Sequence, residues 1–389
     1  MKTPDPNLAA AFEAVLIEIA PRSLPDSFAI ITAWNPNGLD AALAENEAAD
    51  EALHALLTQG LDPTAEALGS LDVPFRCTGG NADRSHVEPG WGAAIEFDRA
   101  VALATRFQQV GFFWIEAGQL YLVYTHAPEV RECLAPLSER LLSPANSPVT
   151  WAELASLSSS SLLDQLCFFP EIGSTNDYAL ANPSDARRLI WTLLQTKGRG
   201  RGSNVWFASP GCLTFTLVLP DLPLDERDIA KVSLVSALAV ADAIQPYANP
   251  QLKWPNDVYI DDQKVCGILA ERYGDQLIVG IGCNVSNDLS GLDVPATTIA
   301  KHCASSPRLA DVLQSMLTHF EELLELLVTN KIDLPTAWRP RCWLTGKTVE
   351  MDSGLVGICL GIQADGGLRL ESTDGIQTVY GGIIQNIAP

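Results

Sequence analysis

The chain has 389 residues, of which 47% are hydrophobic and 19% charged, and 47 acidic side chains against 25 basic ones leave a net charge of −22. The length suggests two or three domains, and the apolar fraction is large enough to bury real cores, which excludes wholesale disorder. Both halves are acidic, with 20 acids and 8 bases up to residue 150 and 27 acids and 17 bases after it. Duplex DNA is therefore disfavoured as the main partner, because phosphate contacts need clustered Lys and Arg.

In chain order, residues 8–19 read as an amphipathic helix followed by the breakers Pro21 and Pro25. Glu13 and Glu18 interrupt the apolar character of this stretch, so it is not read as a signal peptide. FAIITAW at 27–33 is β-branched and aromatic and predicts a strand, and NPNG at 35–38 is turn chemistry. A helix is predicted over 41–59, a strand over 92–97, a helix over 98–108, and strands over 111–117 and 119–125. This small α/β unit closes by about residue 130 and is taken as a domain over 1–135, with 136–160, which contains SPANSP and SLSSSS, as a linker. A second domain over 161–335 is predicted from strands at 188–195, 212–219, 251–260, 264–271 and 276–285 and helices at 226–246 and 307–330. Short strands separated by turn residues over 340–389 predict a small β-barrel.

No apolar run approaches the ~18 residues of a membrane span, so a cytoplasmic location and no membrane partner are expected. The nine Cys form no CxxC pair and the five His show no metal spacing. Buried reduced thiols are expected, and no protein-built metal site.

Four segments carry chemistry. Lys197-Gly198-Arg199-Gly200-Arg201-Gly202-Ser203-Asn204-Val205-Trp206 alternates Gly, which lets backbone amides approach an anion, with Arg, whose planar donors suit phosphate or carboxylate. Alone, it fits a solvated turn equally well. It is neither a Rossmann fingerprint nor a P-loop. In Lys253-Trp254-Pro255-Asn256-Asp257 an ordered point charge ends a strand beside rigid neighbours. Gly267-Ile268-Leu269 and Gly280-Ile281-Gly282-Cys283-Asn284-Val285 place small residues inside strands, which marks either ordinary packing or close approach of a ligand. Ser174-Thr175-Asn176, after a strand-like run, either caps a helix or binds a polar head group.

Together, and in this order, GSTN, QTKGRGRGSNVW, KWPND, GIL and GIGCNVSN resemble the biotin protein ligases, over about residue 168 to the end of the chain. The GRGRGSNVW loop is more similar to the form found in eukaryotic holocarboxylase synthetases than to the bacterial one. Ser203, Asn204 and Val205 stand where many bacterial members have further Gly and basic residues. The resemblance implies an α/β (α+β) fold with a mixed sheet of the class II aminoacyl-tRNA synthetase type flanked by helices, followed by an SH3-like β-barrel. It implies that biotin and ATP, with Mg2+ accompanying ATP, are joined as biotinyl-5'-AMP, which a lysine of a biotin carboxyl carrier protein then attacks. Lys253, Arg199 and Arg201 are then the catalytic cations. Ser174, Thr175, Asn176 and Gln195 are expected to hold the biotin head, and Gly198, Gly200, Trp206, Asn256, Gly267, Ile268 and Asn284 to complete the substrate site. Asp257 either assists magnesium or makes a structural hydrogen bond. No residue is assigned as base for the acceptor amine, and a homodimer is left open.

Repressor-type bacterial ligases carry an N-terminal helix-turn-helix. Here that place is acidic and strand-like, so operator binding is not expected. Instead ITAWNPNG, AENEAADEAL and FQQVGFFWIEAGQLYLV resemble a small bacterial family of unknown function, over about 25–128. Asn35, Asn37, Glu45 and Asn46 there either form a small site or serve turns and caps. Two alternatives to biotin ligation are a lipoate or acyl ligase of the same fold and a non-catalytic biotin-sensing module. Trp206 and Trp254 favour biotin over the first. Joint retention of Arg199, Arg201 and Lys253 argues against the second.

Overall fold

The structure, a computed structural model, describes residues 12, 15–62, 70–81, 87–220, 222–224, 228–292 and 294–388. Two compact units divide the chain, Met1–Ala152 and Glu153–Pro389.

The first unit is a sheet with helices on one face. Its elements are β1 (Leu16–Ile19), β2 (Ser27–Ile31), α1 (Leu43–Thr58), β3 (Phe75–Gly80), β4 (Val87–Ala93), α2 (Phe97–Arg106), β5 (Gly111–Glu116), β6 (Gln119–Tyr124), β7 (Arg131–Pro136) and β8 (Leu141–Leu142). The strand order is β7-β6-β5-β2-β4-β3-β1-β8. β2 shows why the sheet is buried on both sides. Successive side chains point to opposite faces, so Phe28 and Ile30 join one core with Ile17, Phe75 and Leu120, while Ala29 and Ile31 join another with Leu53 of α1 and Leu103 of α2.

Several expectations need correction here. Leu16–Ile19, expected within a helix over 8–19, is a strand, because its buried residues Ile17 and Ile19 follow a period of two and pair with β3 and β8. Apart from Phe12, residues 8–14 lie outside the described residues. The strand expected over 92–97 is β4, which ends at Ala93, and β3 carried too few apolar residues to be anticipated. The unit does not close at residue 130, since β7 and β8 extend the sheet to Leu142. Residues 136–160 hold β8 and α3 (Trp151–Ser158). Their Ser- and Pro-rich composition masked the buried anchors Val149, Leu154 and Leu157. The polar residues after β2 knit that turn together. Asn35 is left-handed (φ 49°), its amide donates to Asn46 Oδ1 at 2.9 Å, and its Nδ2 donates to Glu88 at 2.8 Å.

The second unit carries β9 (Gln165–Ile172), α4 (Thr175–Ala181), β10 (Arg188–Gln195), β11 (Cys212–Pro220), α5 (Ile229–Ile244), β12 (Gln251–Lys253), β13 (Asp257–Ile260), β14 (Gln263–Tyr273), β15 (Gln276–Asn284), α6 (Leu309–Val328) and α7 (Leu334–Trp338). Its sheet runs β12-β13-β14-β15-β11-β10-β9 and is antiparallel except for the parallel pair β9–β10. β11 is buried along its whole length, as a near-continuous apolar run in a sheet centre should be. α5 lies against both α6 and β14. The strand expected over 251–260 is two strands, because Trp254-Pro255-Asn256 makes a turn in which Pro255 has no N–H to give to a ladder. The chain ends in a five-stranded antiparallel sheet, β16 (Thr348–Met351), β17 (Val356–Ile362), β18 (Leu368–Ser372), β19 (Gly375–Val379) and β20 (Ile384–Ala388), in the order β19-β18-β17-β16-β20.

All nine cysteines are free. Cys77, Cys167, Cys212, Cys266, Cys283 and Cys359 are buried, whereas Cys133 is exposed and Cys303 and Cys342 are half-buried, which departs from the expectation of uniformly buried thiols. Among the described residues no helix is long and apolar enough to cross a membrane.

Candidate functional site

The site begins where β9 turns into α4. Ser174 caps the helix, its Oγ accepting from the Asp177 amide at 3.2 Å. The next two side chains face the sheet and are buried. Gln195, at the end of β10, accepts at Oε1 from the amide and hydroxyl of Thr175, at 2.9 and 3.1 Å. Thr216 Oγ1 donates to Asn176 Oδ1 at 2.6 Å and lies 2.8 Å from Thr175 Oγ1. Gly280 makes this possible, since a Cβ there would stand 2.3 Å from Asn176 Oδ1. Ser174 thus makes the capping contact, whereas Thr175 and Asn176 lie buried in a network of side-chain hydrogen bonds at the cavity wall.

The glycine–arginine segment folds back on itself. The Gly200 amide donates to the Asn204 carbonyl at 2.8 Å and the Trp206 amide to the Gly198 carbonyl at 3.1 Å. Gly202 sits at the tip with φ +62°, a left-handed conformation that favours glycine. Arg199 is clamped: its Nε donates to Asp177 Oδ1 at 2.7 Å and its Nη2 to Glu271 Oε2 at 3.2 Å. Partial burial works against the guanidinium charge, but Glu271 and Asp177 outweigh it and raise the pKa. Arg201 is exposed and makes no ion pair among the described residues. The Trp206 indole lies over Gly282, where a Cβ would be 2.3 Å from its Cε2, and its Nε1–H is buried with no oxygen or nitrogen acceptor among the described residues.

The opposite wall comes from β12 to β14. Lys253 ends β12, donates to Tyr259 Oη at 3.1 Å, and lies 5.1 and 5.5 Å from the ring centroids of Tyr259 and Trp343, which stack on each other. Burial lowers its pKa, Asp257 pulls it back up, and Lys264 lowers it further. Lys264 Nζ pairs with Asp257 Oδ1 at 2.6 Å. Asn256 is strapped to β14 by Nδ2 donating to the Ile268 carbonyl at 2.6 Å. Trp254 is buried and donates from Nε1 to the Gly366 carbonyl at 3.0 Å, which ties the turn to the C-terminal sheet.

These walls enclose a cavity of about 360 Å³. It brings together Ser174, Thr175, Asn176, Gln195, Arg199, Gly200, Arg201, Trp206, Lys253, Asn256, Gly267 and Ile268. Two expected residues do not line it. Gly198 supports the base of the loop, where a Cβ would be 2.3 Å from the Trp206 carbonyl oxygen. Asn284 is buried at the end of β15 and braces the following turn, accepting from Asn287 Nδ2 at 3.1 Å. Sequence reasoning had not singled out the lining residues Lys264, Thr214 and Ile383 or the flanking Glu271. Gly280 and Gly282 carried a signal, because alternation within GIGCN puts them on one face of β15. An arrangement with several cations around a polar pocket can align an anionic ligand and stabilise charge that develops on it.

Comparison with known proteins identifies this part of the chain. Residues 168–288 match the biotin/lipoate A/B protein ligase family. Residues 31–111 match a family of proteins of unknown function, DUF3293. The bifunctional ligase/repressor BirA of Bacillus subtilis (strain 168) is 32% identical to the chain over 208 residues, 49% of this chain and 63% of BirA. The chain thus spans less than two thirds of the length of that relative. The biotin–[acetyl-CoA-carboxylase] ligase of Mycobacterium tuberculosis is 28% identical over 223 residues, covering 53% of this chain and 83% of the relative. Among solved structures, the biotin protein ligase from Aquifex aeolicus in complex with biotin and ATP superimposes with a TM-score of 0.53 at 26% identity, over 58% of this chain and 98% of that one. The match to the biotin/lipoate ligase family therefore falls in the second unit, and the DUF3293 match in the first.

Proposed function

We propose that the chain is an ATP-dependent biotin ligase that forms biotinyl-5'-AMP and passes biotin to a lysine of a biotin carboxyl carrier protein. The observation that carries the reading is the convergence of Lys253, Arg199 and Arg201 on the one cavity that also holds Thr175, Asn176 and Gln195. Further support comes from relatives named as biotin ligases and from likeness to a protein solved with biotin and ATP. In this reading Ser174, Thr175, Asn176 and Gln195 hold the biotin head. Arg199, Gly200 and Arg201 cover the carboxylate and phosphates, and Lys253 offsets charge on the α-phosphoryl oxygens as the carboxylate attacks and pyrophosphate leaves. Mg2+ enters with ATP as part of the substrate. Asp257 lines the cavity and pairs with Lys264. No covalent enzyme intermediate is required, so alignment and electrostatics do the work.

The catalytic domain is assigned to 161–335, the C-terminal sheet over 340–389 acts as an SH3-like cap, and the first unit, Met1–Ala152, forms a separate domain. The reaction takes place in the cytoplasm, with neither DNA nor membrane as partner, in keeping with the acidic balance of both halves. Biotin-dependent ATP–pyrophosphate exchange tests the reading. Exchange with biotin supports it, exchange only with lipoate points to the acyl-ligase alternative, and biotin binding without exchange points to a sensing module.

A further inference from the structure

Glu271 touches both halves of the cavity without lining it. It lies on β14, four residues beyond Gly267. Its Oε2 accepts from Asn176 Nδ2 at 3.2 Å and from Arg199 Nη2 at 3.2 Å, and its Oε1 stands 3.5 Å from Arg199 Nη1. One carboxylate oxygen is thus shared between a residue of the polar pocket and the anchored arginine of the loop. On its other side Asn176 is fixed by Thr216, and Arg199 by Asp177. Glu271 is therefore the one carboxylate that contacts both the amide of Asn176 and the guanidinium of Arg199 among the described residues. A planar guanidinium held by two carboxylates has a defined direction, and its charge is compensated while the cavity holds no anion.

We propose that Glu271 is a positioning residue that couples the two ligands of the site: engagement of Asn176 by the first ligand alters the hold on Arg199 and so readies the loop for the second. The proposal rests on the reading of the cavity as a biotin and ATP site. An ordinary ion pair this exposed, with side chains at 37% and 34%, contributes little to stability and transmits nothing. The shared oxygen distinguishes Glu271 from Asp177, which holds Arg199 alone. Asp177 is therefore the internal control.

The test is isothermal titration of the full chain with biotin and with the Mg2+ complex of α,β-methylene-ATP, each alone and with the other saturating. The unsubstituted chain is expected to bind the analogue at least about fivefold more tightly with biotin present, within the range usual for coupled sites, and by reciprocity to bind biotin more tightly by the same factor. Glu271→Gln keeps the shape but puts an amide donor toward Arg199. It is expected to bring the factor below about twofold while each ligand alone binds within about fivefold of the unsubstituted affinity. Asp177→Asn is expected to retain the coupling. If Glu271→Gln does not fold, as judged by thermal unfolding, Glu271→Asp takes its place, since shortening the side chain also breaks the shared contact. Full coupling in the Glu271 variant, equal loss in Asp177→Asn, or no coupling in the unsubstituted chain with both ligands bound would overturn the proposal. Absence of biotin binding by the unsubstituted chain is a different result, because it removes the reading of the site itself.

Discussion

Gly282→Ala offers the sharpest test of how the cavity is built. The added Cβ would stand 2.3 Å from Trp206 Cε2 and 2.5 Å from its Nε1, and an ordinary contact begins at 3.4 Å, so the indole has to retreat by about 1.1 Å. Rigid strand backbone carries the alanine, so the movement falls on Trp206 and the loop it ends. The Trp206 amide bonds the Gly198 carbonyl, and displacement passes to Arg199 and Arg201. Misplacing reacting groups by about 1 Å typically lowers the rate by ~100-fold, or about 2.7 kcal/mol of barrier. Overpacking itself destabilises by about 1–3 kcal/mol, which a unit of this size tolerates. Gly267→Ala is the matched control. Its Cβ meets Lys264 Nζ at 3.1 Å, the far end of a flexible side chain, and Trp206 Cζ3 at 3.3 Å. Biotin-dependent pyrophosphate exchange is expected to fall about 100-fold in Gly282→Ala and less than about fivefold in Gly267→Ala. Exchange in Gly282→Ala within threefold of the unsubstituted chain, with folding intact, would refute the reasoning.

Three further substitutions separate the roles of the remaining groups. Arg201→Gly removes an exposed cation that has no ion-pair partner among the described residues. It is expected to release activated biotin and to raise biotin labelling of bystander albumin at least about tenfold on a streptavidin blot, since an open site no longer retains the mixed anhydride; labelling confined to the carrier protein would count against this. Lys253→Met is expected to lower exchange by about 10²–10³-fold. It should also raise the melting temperature at pH 7, because burial depresses the folded-state pKa of Lys253. The unfolded chain then binds the proton more tightly between the folded pKa and the ordinary value of 10.5, so the destabilisation is complete below that window and fades as pH rises through it. A stability difference that stays constant up to pH 10.5 would show that the charge is not responsible. Gln195→Ala leaves the buried amide and hydroxyl of Thr175 without their shared acceptor. It should cost about 1–3 kcal/mol of stability and raise the KM for biotin more than that for ATP, as read from initial rates; equal changes in the two constants would argue against placing the biotin head there.

The site's local motifs were legible because each is contiguous. GSTN, the glycine–arginine loop, KWPND and the two glycine-bearing strands each state their chemistry within about ten residues, and the sheet brings them to one cavity. The fold of the second unit was legible for the same reason: β10, β11, β14 and β15 are long, apolar and bounded by turns, and only the turn at Pro255 divides a strand that composition alone makes continuous. In the first unit the signals were weaker. β1 is four residues long, and β3 has two Gly among its six residues, so periodicity had little to act on.

What the sequence concealed is the electrostatic frame behind the motifs. Asp177, Glu271 and Lys264 are unremarkable where they stand in the chain, and only pairing across 22, 72 and 7 positions gives them partners in Arg199 and Asp257. Strand alternation does place Gly267, Leu269 and Glu271 on one side of β14, so the position of Glu271 was accessible from a period of two. Its partner was not, because Arg199 lies on an irregular loop with no period to extrapolate. The same reasoning explains Asn284. Alternation put it in line with Gly280 and Gly282, but the cavity ends before the strand does, and a face common to three residues does not fix how far a ligand reaches along it. Cations that must meet an anion need carboxylates to hold them in place while the anion is absent. In an acidic chain such carboxylates are plentiful, and which of them serve is decided by the sheet register rather than by composition.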